Sequence, residues 1–316
     1  MPDTHSAESL CGILNLNKAV GLSSHGAVAR VRRITGQRKA GHAGTLDPLA
    51  TGVLLVCLGQ ATRVSEYLMQ GAKVYRARVQ LGMVTDTYDA EGQVIARSEV
   101  KATRAQVEDA LRGLQGTFLQ APPPFSAVKR DGVALYKLAR QGSEGQRRAS
   151  DMAQRHARTV HVESLRLIRW QPTELELEVQ CGKGTYVRSL AYELGQRLGC
   201  GAYLSGLVRT ASGSFHIDQA ITLEQLEQAF IRGHGPLLLL PMDAALQDYP
   251  AAALDPATAR KMIAGQRIEL ANPPDAGMCR AYGLDGRLLA LLRREADGRW
   301  RPHKVFAGQA DDESDS

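Results

Sequence analysis

The chain reads as an α+β fold on a mixed sheet, and three observations predict it. Stretches with strand-like alternation are interleaved with stretches of helical period, yet the regular βαβ spacing of a doubly wound sheet is absent. A glycine-rich loop leads straight into an unbroken apolar run, the pattern of a strand buried on both faces. After a proline-flanked segment, a last module of roughly 60 residues carries hairpin signals around a single helix signal, small for an independent core.

The elements follow in order. Gly12 to Asn17 (GILNLN) alternates as a short strand. Ser23 and Ser24 precede the periodic run His25 to Ile34, the expected start of a helix, because a serine oxygen accepts from the open N–H groups of the first turn. Val53 to Gly59 (VLLVCLG) predicts a buried strand, followed by a helix from about Ala61 to Met69. Val74 to Leu81 alternates with period two, so Tyr75, Ala77 and Val79 share a face. Thr85 to Gly92 is a turn region, and Arg104 to Leu114 an amphipathic helix. The prolines of APPPF (121–125) introduce a basic segment. Its middle, Gln141 to Gln154, shows no clear period and is expected to be a mobile loop. Val160 to Trp170 and Leu175 to Cys181 read as strands, and Tyr186 to Leu198 as a helix. Pro236 to Pro250 reads as a linker, Pro256 to Ala264 as a helix, and Leu284-Asp285-Gly286 as a hairpin turn.

Composition narrows the function. Of 316 residues, 44% are hydrophobic and 23% charged, inside the globular range. No apolar run approaches the roughly 18 to 20 residues of a membrane span. The first ten residues lack the basic and apolar regions of a secretory signal, so a cytoplasmic protein without membrane contact is expected. Five cysteines, at 11, 57, 181, 200 and 279, form no CxxC pair and show no metal-ligand spacing; they read as reduced thiols used as small hydrophobes, and no metal is expected. The net charge of +6 is a weak hint of nucleic acid, but its distribution says more. Between Lys129 and Arg169 ten basic residues face four acidic ones, an excess equal to that of the whole chain. That segment is either a solvated loop or an arm that meets phosphates.

The most unusual segment is GHAGTLDPLATG, Gly41 to Gly52. Three glycines, a proline and two threonines exclude a helix or a long strand and describe a loop of fixed shape. Its one carboxylate, Asp47, precedes a proline that restricts it to extended backbone, and it stands at the mouth of a core strand. An isolated Asp-Pro is usually a structural turn; a loop this long and this poor in charge favours a chemical role.

This loop closely resembles the catalytic loop of the TruB-type tRNA pseudouridine synthases. So do LNLNKAVGLSSH, ending at His25, KVYRARVQLGMVTDTYDAEG (73–92), PPPFSAVKRDGVALYKLARQG (122–142) and CGKGTYVRSLAYELG (181–195). The likeness runs from about Gly12 to about Met242, with the motifs in the family's order. Two departures stand out: Lys18-Ala19 replaces the family's Lys-Pro, and the basic stretch around 143–158 is longer than usual. The resemblance implies a mainly antiparallel pseudouridine-synthase domain at 12–242, with an RNA-binding insert at about 122–165. It also implies a small PUA-like RNA-binding domain at 246–309, flanked by a flexible N-terminus (1–11) and an acidic tail (310–316).

It further implies an enzyme that detaches uracil from C1′, rotates it and rejoins it through C5 at position 55 of the tRNA T loop. Such chemistry needs no cofactor, and a chain of this kind is expected to act as a monomer on the T arm without a protein partner. Asp47 matches the catalytic aspartate, as nucleophile or base. Arg188 matches the arginine that orients it, a task suited to a guanidinium because it forks onto a carboxylate; from the residues alone it is an exposed first-turn charge. Tyr75 matches the tyrosine that stacks on the flipped base, although by periodicity it is a core aromatic. His42 matches a residue that fills the gap the base leaves, Tyr186 and Leu207 match pocket residues, and Lys18 matches a lysine near the site. Arg147, Arg148, Arg155 and Arg158 are the arm's expected phosphate contacts. Two alternatives remain, a guide-RNA-dependent pseudouridylase and an RNA-folding chaperone on the same fold. A glycosidase-like carboxylate pair is not expected, since no second carboxylate is read in the matching motifs.

Overall fold

The computed structural model describes residues 10–126, 129–130, 133–134, 138–139 and 141–306. The chain divides into two compact units, one holding residues 14–239, the other residues 240 onward with Cys11–Ile13. Most of the N-terminal segment, Lys137, Arg140 and the acidic tail lie outside the described residues.

In the first unit, strands β1 (Gly12–Lys18), β2 (Ala40–His42), β3 (Ala50–Leu58) and β4 (Lys73–Leu81) are followed by a small hairpin of β5 (Met83–Thr85) and β6 (Val94–Arg97). After β7 (Gly116–Gln120) and the two-residue pair β8 (Lys129–Arg130) and β9 (Val133–Ala134) come β10 (Arg158–Trp170), β11 (Glu174–Cys181), β12 (Ala202–Ser212) and β13 (Phe215–His216). Among the described residues nine strands share the main sheet. β1, β3, β12, β4, β11, β10 and β7 lie side by side in that order, with β2 beside β3 and β13 beside β12. β3 and β12 run parallel, and every neighbouring pair from β12 to β7 is antiparallel, so the sheet is mixed and mainly antiparallel.

Alternation along β4 and β11 turns Tyr75, Ala77, Val79 and Leu81, with Leu175, Leu177 and Val179, to one buried face. Against that face pack α3 (Arg104–Arg112) and α5 (Val187–Arg197) through Val107, Leu111, Leu190 and Leu194. Each such leucine contributes roughly 1.5 to 3 kcal/mol by leaving water. Thr103 starts α3 with a capping box closed by Gln106, and Ser23 caps α1 (Ser24–Thr35) through Gly26 N–H, as its place in the sequence predicts.

Three expectations are corrected, and one strand is found that the sequence analysis did not read. Gly142–Arg155 is a helix, not a mobile loop. Its buried stripe consists of Gly145, Ala149 and Ala153, at helical spacing but too small to register as apolar periodicity. Ala202–Ser212 is an eleven-residue strand at the centre of the sheet, hidden in the sequence because the buried Arg209 interrupts its alternation. The helix expected from about Ala61 begins as a 3₁₀ turn, Gly59–Val64, before Ser65–Gln70 becomes α-helical. The expected linker holds two 3₁₀ turns, Gly235–Leu238 and Met242–Leu246.

In the second unit, β14 (Ala251–Leu254), β15 (Met278–Gly283), β16 (Leu288–Arg294) and β17 (Trp300–Val305) form a sheet in chain order. With the helix Pro256–Ile263 it encloses Leu254, Met262, Cys279, Leu292 and the fully buried Trp300. Among the described residues no helix is long and apolar enough to cross a membrane.

Candidate active site

Asp47 sits on the loop between β2 and β3, and that loop is held from three sides. The Ser24 hydroxyl donates to Leu46 O at 2.9 Å and accepts from Leu46 N at 2.8 Å. Lys18, buried at the end of β1, donates from Nζ to Ala19 O at 2.9 Å, to Leu22 O at 2.6 Å and to Pro48 O at 3.4 Å. Burial pushes its amine down to about 8, against the pull of Asp47 and Glu91. Arg209 of β12 donates from Nη2 to Gly44 O at 3.1 Å and from Nε to Val53 O at 2.6 Å. Where the loop becomes β3, Gly52 has φ +94°, and a Cβ there would lie 2.2 Å from Arg209 O. The loop is therefore pinned to β12 at a distance only glycine permits.

Opposite the loop stands Arg188, second residue of α5 and buried. Its Nε lies 2.8 Å from Asp47 Oδ2 as an ion-pair contact, while Nη2 donates to Oδ1 at 3.2 Å; of the two, only the Nη2 contact has hydrogen-bond angles. Nη1 turns to the other side, 3.2 Å from Asp89 Oδ2, and donates to Thr87 O at 3.2 Å and Phe125 O at 3.3 Å. The guanidinium thus lies between two carboxylates of unlike surroundings. Asp89 is 3% exposed in its side chain, and Asp47 is 36% exposed and open to a substrate.

Asp89 is the second carboxylate that the sequence reading did not find, although it lies inside the motif TDTYDAEG, there read as a turn. Its Oδ1 accepts from Thr87 Oγ1 at 2.6 Å and Glu91 N at 3.0 Å. The turn is docked on β12 through Leu204 N to Tyr88 O and Ala90 N to Leu204 O, both 3.0 Å. Tyr88, at φ 65°, is the one non-glycine residue of positive φ among the described residues, and its ring stacks 4.0 Å from that of Tyr192 on α5. Glu91 stands exposed nearby. Partial burial and then Asp89 and Asp47 raise its carboxyl above the usual range.

Tyr75 lies on β4 directly opposite Arg209 in the sheet. Burial raises its phenol above the usual range, and the charge of Arg209 opposes that shift. Leu207 of β12, 8% exposed, is opposite Ala77 on one side and Ala50 on the other, as part of the main core. His42 meets His25 of α1 edge to face with centroids 5.1 Å apart, and its Nδ1 is buried without a partner. Burial, with His25 and Arg209 adding to it, holds the imidazole below its usual range. Tyr186 precedes α5 and so stands two residues from Arg188.

The structure therefore gathers Lys18, Asp47 and Arg188, links Tyr75 to the same loop through Arg209, and sets His42 and Tyr186 on the flanking segments. Arg147 and Arg148 belong to a separate place, helix α4 (Gly142–Arg155), where both pair with Glu144 of the same helix. Sequence reasoning missed Asp89 and Arg209, the second because its charge interrupts the apolar pattern of the strand that holds it. Among the described residues no group of three His, Cys, Asp or Glu could hold a metal ion. What the arrangement offers is one oriented, half-open carboxylate backed by a buried cation, a centre suited to nucleophilic attack or proton abstraction.

Comparison with known proteins finds relatives over most of the chain. Residues 32–187 match the TruB family pseudouridylate synthase (N terminal domain), residues 188–247 the tRNA pseudouridylate synthase B C-terminal domain, and residues 249–307 the tRNA pseudouridine synthase II C-terminal domain. The tRNA pseudouridine synthase B of Dehalococcoides mccartyi is 42% identical over 298 residues, covering 93% of this chain and 96% of the relative. That of Pseudomonas putida is 40% identical over 304 residues, 95% and 97% of the two chains. Among solved structures, a chain of an H/ACA RNP bound to a substrate RNA containing 2′-deoxyuridine shares the fold at a TM-score of 0.70 and 24% identity, over 94% of this chain and 85% of that one. A chain of a Cbf5–Nop10–Gar1 complex follows at 0.67 and 27%, over 90% and 78%. With three family domains in sequence and relatives matched almost end to end, the chain belongs to the TruB family of pseudouridylate synthases.

Proposed function

We propose that this enzyme isomerises uridine in tRNA to pseudouridine, at position 55 of the T loop, with Asp47 as nucleophile or base. The observation that carries the reading is the Asp47–Arg188 pair, a carboxylate gripped on two atoms by a buried guanidinium and open on its other side. In the reaction the N1–C1′ bond breaks, the freed uracil turns, C5 bonds to C1′, and the C5 proton leaves while N1 gains one. No atom or electron is added overall, so the residues already present suffice. Asp89 positions Arg188, and Arg188 positions Asp47. Tyr75, buried and tied to Arg209, offers the face on which a flipped base stacks, and Leu207 and Tyr186 line its pocket. His42, held neutral, is suited to fill the space the base vacates, because a neutral ring enters a stacked loop more cheaply than a cation.

The chain acts alone, as a cytoplasmic monomer on the T arm. The arginines Arg147, Arg148 and Arg155 of α4 meet the phosphates, and the second unit serves as a PUA-like RNA-binding domain. Guide-RNA dependence is the less favoured reading. The likeness to curated tRNA pseudouridine synthases is near 40% identity, against 24% for a chain of an H/ACA RNP and 27% for one of a Cbf5–Nop10–Gar1 complex. A chaperone that kept the fold without chemistry would have no need of so closely oriented a carboxylate.

The test is incubation of the purified chain with an unmodified tRNA transcript and mapping of pseudouridine by chemical adduct. Modification at position 55 without guide RNA or partner is expected. Asp47→Asn should abolish it while tRNA affinity stays within a few fold, because the amide keeps the shape, loses the chemistry, and leaves the phosphate contacts intact. Turnover by the Asn variant above background would remove Asp47 from its role. Modification only on addition of a guide RNA would favour the second reading.

A further inference from the structure

Tyr186 is held at two points by residues that face each other across a strand pair. Gln120 ends β7 and Arg158 begins β10, and the two are direct partners in the antiparallel register. Gln120 is 1% exposed, and its amide bonds both polar atoms of the Tyr186 backbone, whose carbonyl also accepts from Leu190 N at 3.2 Å. Oε1 accepts from Tyr186 N at 2.8 Å, and Nε2 donates to Tyr186 O at 3.2 Å. Arg158 instead covers the side chain, with its guanidinium carbon 4.9 Å from the centre of the Tyr186 ring, inside the range of a cation–π contact. The same guanidinium rests on the loop before α5. A Cβ at Gly184 would stand 3.3 Å from Arg158 Cζ and Nε. Arg158 also follows closely on α4, which ends at Arg155.

We propose that Gln120 and Arg158 form a clamp that sets the position of Tyr186, and that Arg158 serves the nucleobase pocket rather than a phosphate. This rests on the reading of Tyr186 as a pocket residue. A buried amide bonded to both sides of one residue's backbone cannot shift without leaving the Tyr186 N–H and its own polar atoms unpaired. The tyrosine backbone is thereby fixed to the sheet, and the ring is fixed by a cation on the strand that leaves the arm. Both residues are positioning residues.

The experiment separates this role from phosphate binding in the full-length chain. Arg158→Gln is expected to slow single-turnover pseudouridine formation about tenfold on saturating tRNA transcript. Affinity should stay within twofold, with an unchanged slope of log affinity against log salt. Arg158→Lys should recover part of the rate, because an ammonium can also sit on an aromatic face. In a Tyr186→Leu background, which removes the ring, Arg158→Gln should slow the reaction no further. A slope reduced by roughly 0.7 to 0.9 with the saturating rate intact would make Arg158 a phosphate ligand and overturn the proposal. Additive losses in the double variant would overturn it too. Hydrogen exchange gives a readout independent of activity: the Tyr186 amide should be protected in the wild type and lose protection in Gln120→Leu. Equal exchange in both refutes the clamp, whereas an inactive wild type with a protected amide refutes only the proposed reaction.

Discussion

The molecule uses arginine in two opposite ways. In the centre, the Arg188 side chain is 7% exposed and is spent entirely on fixed partners, two carboxylates and two carbonyls drawn from three separate segments of the chain. On α4, Arg147 is 72% exposed and Arg148 66% exposed, and each pairs with Glu144 one turn away. A buried ion pair has already lost its water, so removing one partner leaves an uncompensated charge and costs about 3 to 5 kcal/mol. An exposed pair one turn apart is worth about 0.5 kcal/mol and yields readily to a better anion. The first arrangement buys geometry; the second keeps charge available. Changes at the centre should therefore act on the rate, steeply and regardless of salt, while changes on the arm should act on affinity, gradually and with salt.

A steep test is Asp89→Asn. The amide preserves shape and the bonds from Thr87 and Glu91 to its oxygen, but it removes the charge that holds Nη1 of Arg188. With that anchor gone, Arg188 shifts toward Asp47 and the carboxylate loses its orientation. A fall of about a hundredfold in single-turnover rate is expected, the scale on which a misplacement of an ångström costs catalysis. Affinity for tRNA should change by less than threefold. An unchanged rate would show that Asp47 and the carbonyls of Thr87 and Phe125 fix the guanidinium without Asp89. Arg188→Lys should cost at least as much, because an ammonium cannot fork onto Asp47 and reach Asp89 at once.

A smaller effect is expected where the loop meets β12. Gly52→Ala places a methyl 2.2 Å from Arg209 O at a φ of +94°. Strain of this kind costs about 1 to 3 kcal/mol, so thermal unfolding should come several degrees earlier. The surviving folded enzyme should be slowed, because Arg209 also holds Gly44. An unshifted melting temperature would mean that the loop is less tightly tied to β12 than its hydrogen bonds indicate.

The same contrast explains what could be read from the sequence. Buried strands announce themselves by bulky alternation, and the Asp47 loop by glycine and proline where no helix can form; β3, β4, β10, β11 and the loop were legible for those reasons. Three features were not. The buried face of α4 is made of alanine and glycine, which leave no apolar period. β12 carries Arg209 inside the core, where its charge reads as surface. Asp89 sits in a turn rich in polar residues, and only folding shows that one of them is sealed beneath Arg188. Arg188 itself was found through its motif and not through its chemistry, since a lone arginine in a first helical turn is ordinarily a surface charge.

The arm provides the mildest test. Because α4 is already helical, it has less ordering entropy to lose on meeting RNA than a mobile loop would. Its three arginines should then act almost independently. Neutralising Arg147, Arg148 and Arg155 to Gln is expected to weaken tRNA binding severalfold at moderate salt. The slope of log affinity against log salt should fall by roughly 0.7 to 0.9 for each arginine that meets a phosphate, while the saturating rate stays near that of the wild type. Glu144→Gln supplies the reciprocal measurement. Releasing Arg147 and Arg148 from their pairs should tighten binding slightly, by no more than the exposed pairs were worth. If the triple variant instead lost rate at saturation with an unchanged salt slope, α4 would be positioning the active site. Gln146 shows the route, since it donates to Asp86 at 3.1 Å, three residues from Asp89. The arm's charges and the arm's contacts with the site would then have to be separated by Gln146→Ala, which leaves every arginine in place. A loss of rate in that variant, with the salt slope of the wild type, would assign the coupling to the helix contact rather than to charge.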